Sequence, residues 1–280
     1  MRTVGVDLAS QPVKTAICTI EWADGAANVE ALGLGRLNGR ILDDLALLAA
    51  MRLADKAAID APFGWPAPFI RAVASTDWPY PPGSERAQLE RRTTDIVVYQ
   101  RTAKLPLSVT TDRIAYCAMR CAALLTTLSS PRDGSGLAVE VYPDAALRCW
   151  LPELFVDNRQ SYKTKSNLAA RARREQLLHG LLSELGAGFV MSERQRDDVT
   201  HSDDCLDALV CALLARAAAL GETVAPDSPE HRDLAAIEGW IHLPRAGSIG
   251  RLLSPARGSD TAAFRGDEDS TGSLASAPSR

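Results

Sequence analysis

Thr3–Leu8 reads TVGVDL, and farther along the chain Ala54–Asp60 reads ADKAAID. Each is a short apolar run with an aspartate at or near its end. Runs of this length, bounded by turn-forming sequence, suit buried strands. Between them, Lys14–Trp22 (KTAICTIEW) is β-rich and partly alternating, and Asn28–Leu37 gives a weaker strand signal. The linking ADGAAN carries an Asp-Gly pair, which is hairpin chemistry. Gly39–Leu53 (GRILDDLALLAAMRL) then shows helical periodicity. The expected order is a three-strand meander, a helix and a fourth strand. Joined through a helix, the first and fourth strands are expected to run parallel. Open α/β sheets bind ligands beyond the carboxyl ends of such strands, which is where Asp7 and Asp60 fall.

The rest of the chain extends this α/β pattern. Ala61–Gly83 is rich in proline and aromatic residues and is expected to be irregular. Leu105–Leu128 contains a long apolar helix, starting near Thr110-Thr111-Asp112. Leu137–Val141 (LAVEV) reads as a further strand, with Pro143 placed for the first turn of a following helix. Tyr162–Leu185 reads as a helix, Ser202–Leu220 as the most apolar helix, and Trp240–Leu243 as a last short strand. From Ser254 onward apolar residues thin out, which predicts a disordered tail over 254–280. One domain is expected over 1–253, with an insertion at about 61–108.

With 280 residues and 46% apolar content, the chain can bury a sizeable core. Its formal charge of −4 means that any basic surface is local. Six cysteines (Cys18, Cys117, Cys121, Cys149, Cys205 and Cys211) form no CxxC pair. That usage fits a reducing cytoplasm without disulfides. The N-terminus runs directly into a strand pattern rather than a signal-peptide core. The best candidate membrane span, CLDALVCALLARAAAL, carries Asp207 and Arg216 and reads as a buried helix. There is no GK[ST], GxSxG or HExxH, which argues against P-loop NTPases, α/β hydrolases and zinc proteases. Gly33, Gly35 and Gly39 do not fit GxGxxG spacing.

The acids carry the chemical signal. If the strands ending in Asp7 and Asp60 are neighbours, their carboxylates meet. Two such charges about 4 Å apart repel by roughly 4 kcal/mol at an effective dielectric near 20. A shared proton, a cationic side chain or a hard metal ion must offset that. A single strand-end aspartate would be read as a turn residue; two on adjoining strands point to a site. The helix after Ser202 adds Asp203, Asp204 and Asp207. First-turn acids complement the helix dipole, but Asp207 lies in an otherwise apolar helix and needs a partner. Asp204 and Asp207 are three apart and share a face. Four carboxylates, Asp7, Asp60, Asp204 and Asp207, would form a cage suited to Mg²⁺ or Mn²⁺, and metal-activated water would serve phosphodiester hydrolysis. His201, just before this helix, reads chiefly as a solvated loop residue.

Other candidates are weaker. Between Arg159 and Arg174 six basic residues (Arg159, Lys163, Lys165, Arg171, Arg173 and Arg174) occur without an acid. They read either as a phosphate-tracking stripe or as a solvated helix face. Lys163 and Lys165 are the candidate phosphate contacts. Among Phe63, Trp65, Phe69, Trp78 and Tyr80, most read as a satellite core, and Trp65 is the candidate for stacking on an unpaired base. Glu140 reads as an acid supporting the site or as the partner of a buried arginine. Arg92 and Asp95 read as an ion pair near it, with Arg92 also a candidate substrate contact.

VGVDLAS resembles the first strand of ribonuclease H-like enzymes, and DDCLDALVCAL resembles the last catalytic helix of RuvC-type resolvases. With AIDAPFGWP, RTTD, VEVYPDAA, YKTK and EGWIHLP, the chain to about Pro244 resembles the family catalogued as domain of unknown function 429, predicted nucleases of ribonuclease H fold. The resemblance implies a ribonuclease H-like mixed five-stranded sheet flanked by helices, with an insertion after strand four. It implies metal-binding acids at Asp7, Asp60, Asp204 and Asp207. RuvC-type enzymes usually carry Glu at the fourth-strand position, where this chain has the shorter Asp60. The expected function is a Mg²⁺- or Mn²⁺-dependent nuclease acting on DNA or RNA, with Asp7, Asp60, Asp204, Asp207 and Glu140 as the catalytic set. The alternatives are an actin- or sugar-kinase-like phosphotransferase, whose first strand is similar, and a non-catalytic nucleic-acid-binding module of the same fold.

Overall fold

A computed structural model describes residues 1–75, 86–156, 161–163 and 167–255. The chain opens with β1 (Arg2–Asp7), β2 (Ala16–Ala23) and β3 (Ala26–Leu34). A small hairpin of β4 (Arg36–Leu37) and β5 (Arg40–Ile41) leads to α1 (Asp44–Arg52) and β6 (Lys56–Asp60). The segment that follows holds α2 (Ala67–Ala74), α3 (Arg86–Glu90) and α4 (Thr93–Thr102). Then come α5 (Ile114–Leu128), β7 (Ala138–Glu140), α6 (Pro143–Trp150), α7 (Leu168–Leu185) and β8 (Phe189–Val190). The last elements are α8 (Glu193–His201), α9 (Asp203–Ala219) and α10 (Pro229–Glu238). No helix among the described residues is long and apolar enough to cross a membrane. From residue 256 on, the expected tail lies outside the described residues.

The main sheet has six strands in the order β7-β6-β1-β2-β3-β8. β1 runs antiparallel to β2 and parallel to β6, as the helical crossover requires. β7 is parallel to β6 and β8 is parallel to β3. The five expected strands are therefore joined by a sixth. With only two residues, β8 is too short to show any periodicity. Trp240–Leu243 contributes a single bridge, Ile241 to Glu140, rather than a strand. α7 begins later than the basic run suggested. Asn167 caps it by accepting from the Ala169 amide at 2.8 Å, and Tyr162 and Lys163 precede it outside any helix.

Alternation along the strands splits the core into two layers. Val4, Val6, Ile17 and Ile59 face α1 and α5, whereas Ala16, Cys18, Ile20 and Ala58 face α9. α9 is apolar on nearly every side because it is covered on nearly every side, and Leu206, Leu209, Val210, Leu213 and Leu214 are all buried. Gly5 brings it against the sheet. A Cβ at Gly5 would stand 2.1 Å from the Ala212 nitrogen and 2.3 Å from the Ala208 oxygen. Only a residue without a side chain lets the helix backbone approach β1 so closely.

Candidate metal centre

Asp7 and Asp60 are direct register partners at the ends of β1 and β6. Asp7 shares strand parity with Gly5, and Asp60 with Ala58, so both belong to the face that α9 covers. α9 then supplies Asp207, which is 2% exposed. Carboxylate oxygens of Asp7, Asp60 and Asp207 all lie within 4.8 Å of one another. Asp204 lies outside this trio, although its charge acts on Asp7. The expected four-acid cage is thus three acids with a fourth nearby. Three residues of helical rise, about 4.5 Å, separate Asp204 from Asp207 along the axis, so sharing a face does not bring both to one point.

A cation already stands at the trio. The Lys163 ammonium is 2.7 Å from the Asp207 carboxylate, and the Tyr162 hydroxyl donates to Asp207 Oδ1 at 2.8 Å. Sequence reading passed over Tyr162, though it opens the YKTK motif. The segment is pinned from behind by Arg174, fully buried, which donates to the Tyr162 carbonyl at 2.6 Å and to the Thr200 carbonyl at 2.8 Å. Lys163 was expected to meet phosphate, and it stands here as the trio's internal counter-charge.

One ammonium does not neutralise three carboxylates. Burial first, and then Asp207 and Asp60, hold the Asp7 carboxyl well above its ordinary range, against the pull of Lys163. Burial pushes Asp60 up to about 7, with Lys163 opposing and Asp207 adding to the rise. Asp207 is raised by burial too, although Lys163 and Tyr162 both favour its ionised form. Partial desolvation works against a charged Lys163, whose side chain is 38% exposed, but Asp207 foremost holds its ammonium well above the ordinary lysine value. The cluster is short of positive charge, the condition a divalent cation relieves.

Glu140 falls elsewhere. Its register partner is Ile59, not Asp60, so the pleat turns it to the opposite face of the sheet. There it meets Arg92, which is 1% exposed. The five N–H donors of Arg92 go to Asp95 (Nε and Nη2), Glu140 (Nη1 and Nη2) and the Glu238 carbonyl (Nη1), at 2.7–3.3 Å. Glu140 also accepts from the Phe63 amide at 2.9 Å. Two expectations are corrected by this. Arg92 has no donor left for a substrate, and Glu140 does not join the acid trio; of its two expected roles it takes that of partner to a buried arginine, and it buttresses the loop after β6. The expected Arg92–Asp95 pair is present.

The basic run is not a stripe in its described part. Arg174 is buried as above, Arg173 bonds the Leu154 carbonyl and lies over the Phe155 ring, and Arg171 pairs with Glu175 at 3.1 Å. Lys165 and Arg159 lie outside the described residues, as do Trp78 and Tyr80. Trp65 is half-buried in the loop after β6, beside the fully buried Phe63. His201 is exposed at the end of α8, its Nδ1 2.7 Å from the Asp197 carbonyl oxygen. The six cysteines are all free thiols.

Two cavities flank this region. The larger, about 580 Å³, is an open groove bordered by Arg36, Arg194 and His201, and it includes none of the three aspartates. The smaller, about 340 Å³, is lined by Asp60 and Lys163 themselves. Chemistry points to the smaller one, since volume alone does not make a site.

A family model described as "Protein of unknown function (DUF429)" matches residues 5–231. No curated protein and no solved structure matches the chain.

Proposed function

We propose that this chain, which belongs to the DUF429 family, is a divalent-cation-dependent phosphodiesterase of ribonuclease H-like fold that acts on nucleic acid. The observation that carries this reading is the convergence of Asp7, Asp60 and Asp207 within 4.8 Å. They come from two neighbouring parallel strands and a helix laid across them. The sheet order, with its antiparallel meander and parallel β6 and β7, is compatible with the ribonuclease H-like arrangement implied by VGVDLAS and the α9 acids.

The donor set fits a hard cation. It consists only of carboxylate oxygens, the ligands that Mg²⁺ and Mn²⁺ prefer, and the raised Asp7 and Asp60 carboxyls mark an unmet demand for positive charge. When bound, such an ion supplies Lewis acidity toward a phosphoryl oxygen. The residues of the chain do the rest. Asp7, Asp60 and Asp207 hold the ion, with Asp204 close enough to act on the cluster by charge. Tyr162 fixes the orientation of Asp207 through its hydroxyl. Lys163 brings a positive charge to the edge where a phosphate enters. The Arg92–Glu140–Asp95 network holds the loop that follows Asp60.

Lys163 also favours a second reading. Its ammonium at 2.7 Å from Asp207 gives the acids a cation from within, as a metal-free nucleic-acid-binding module would need. One experiment separates the two. Mn²⁺ binding is followed by calorimetry, and cleavage is assayed on linear and branched DNA and RNA, for wild type and Asp7→Asn. Mn²⁺-dependent cleavage that disappears in a folded Asp7→Asn protein supports the phosphodiesterase. Nucleic-acid binding with neither Mn²⁺ uptake nor cleavage supports the module.

A further inference from the structure

We infer that the smaller cleft beside the acid trio seats one unstacked nucleobase, so that the enzyme takes single-stranded or locally opened nucleic acid. The inference rests on the nucleic-acid reading above and narrows its substrate class. The cleft, about 340 Å³, is lined by both Asp60 and Lys163, so a ligand within it meets one acid of the trio and the trio's counter-cation. That volume is at the lower end of the roughly 300–1,000 Å³ typical of small-molecule sites. It admits a single base with its sugar.

The walls have the chemistry of a base-binding slot. Leu105, Pro106 and Leu107, between α4 and α5, form an apolar side together with Ile114. Leu105 and Leu107 are 40% and 60% exposed although they stand beside ionisable groups. Grouped in one cleft, these side chains offer a ligand an apolar wall. Tyr142, just ahead of α6, adds a half-buried aromatic ring to the same cleft. Its hydroxyl makes no hydrogen bond with any described residue and reaches solvent, so a ligand entering the cleft can meet it. A base would supply both the flat face for the ring and a polar edge for the hydroxyl. Lys104, 2.9 Å from Asp144, adds a cation to the lining, suited to the strand's next phosphate. Phosphate alone would leave the apolar walls unused.

The test is an NMR chemical-shift titration of the full chain in EDTA, with adenosine 5′-monophosphate, cytidine 5′-monophosphate and inorganic phosphate as separate probes. The two nucleotides are expected to shift the Leu107 and Ile114 amides, and phosphate is not. Tyr142→Leu keeps apolar bulk but removes ring and hydroxyl. Leu107→Glu alters an exposed side chain, so folding is not at stake. Each is expected to weaken nucleotide binding about tenfold, within the range of a lost base–aromatic contact. Equal responses to phosphate and nucleotide, or nucleotide binding unchanged in both variants, overturn the inference. Mn²⁺-dependent cleavage without nucleotide binding sinks the base slot and leaves the phosphodiesterase standing. Nucleotide binding without cleavage does the reverse.

Discussion

Gly5 of β1 faces the backbone of Ala212 in α9 so closely that a Cβ there would come within 2.1 Å of the Ala212 nitrogen. Asp7 lies two residues beyond Gly5, and Asp207 lies five before Ala212. The close approach of strand and helix therefore sets the spacing between two acids of the trio.

Gly5→Ala is expected to force α9 away from the sheet. Overpacking of this kind costs about 1–3 kcal/mol, and contact with backbone, which cannot rotate away, puts the effect at the upper end. Urea denaturation measures the loss, and Mn²⁺ titration is expected to show weaker binding in the folded fraction. A variant as stable as wild type, with unchanged metal uptake, contradicts this account of the packing.

Stability without metal is expected to fall as pH rises from about 4 toward 7. Asp60 goes from an ordinary 3.8 to about 7, through burial first and Asp207 after the opposing Lys163. In that window the folded state keeps a proton that the unfolded chain has released, so each step up in pH favours unfolding. The penalty is complete above about 7 and relieved below 4. His242, which burial pulls below its usual value, contributes the opposite slope. Comparing wild type with Asp60→Asn in EDTA isolates the carboxyl. The variant is expected to lose the downward component, and Mn²⁺ is expected to raise the wild-type melting temperature more at pH 8 than at pH 5.5. Parallel pH profiles for the two proteins would rule out the assignment.

Arg92→Met is expected to destabilise the fold by about 3–5 kcal/mol, because it strands Glu140 and Asp95 without their shared buried cation. Arg92→Lys is expected to recover only part of this, since one ammonium cannot reproduce five fixed donors. Equilibrium unfolding gives both numbers. A loss below about 1 kcal/mol for the methionine variant would mean that the network is not fully desolvated.

Lys163→Met and Asp7→Asn are expected to move Mn²⁺ affinity in opposite directions. Removing the ammonium takes away an internal competitor for the trio, and a tenfold or larger gain in affinity, about 1.4 kcal/mol, is the expected size. Removing an acid weakens binding. If Lys163→Met also weakens binding, the lysine assists the metal instead of competing with it.

Much of the acid site was legible along the chain. Asp7 and Asp60 each close a short apolar run, and a helix between two strands dictates that those strands lie parallel. Asp207 stood out as a charge in an apolar helix. The membership of the trio was less legible. Asp204 and Asp207 share a helix face, but the rise of the helix separates them.

Local pattern determined most of the elements, because strand and helix periodicities and the need to pair a buried charge are properties of neighbouring residues. Only the tertiary structure decided the faces and the partners. A register in which Glu140 pairs with Ile59 instead of Asp60 sends that acid through the sheet to Arg92. The segment holding Tyr162 and Lys163, tied down by Arg174, carries Lys163 to Asp207, forty-four positions away in sequence. Register and long-range closure arise from how whole layers pack, and no window of sequence contains both sides of such a contact.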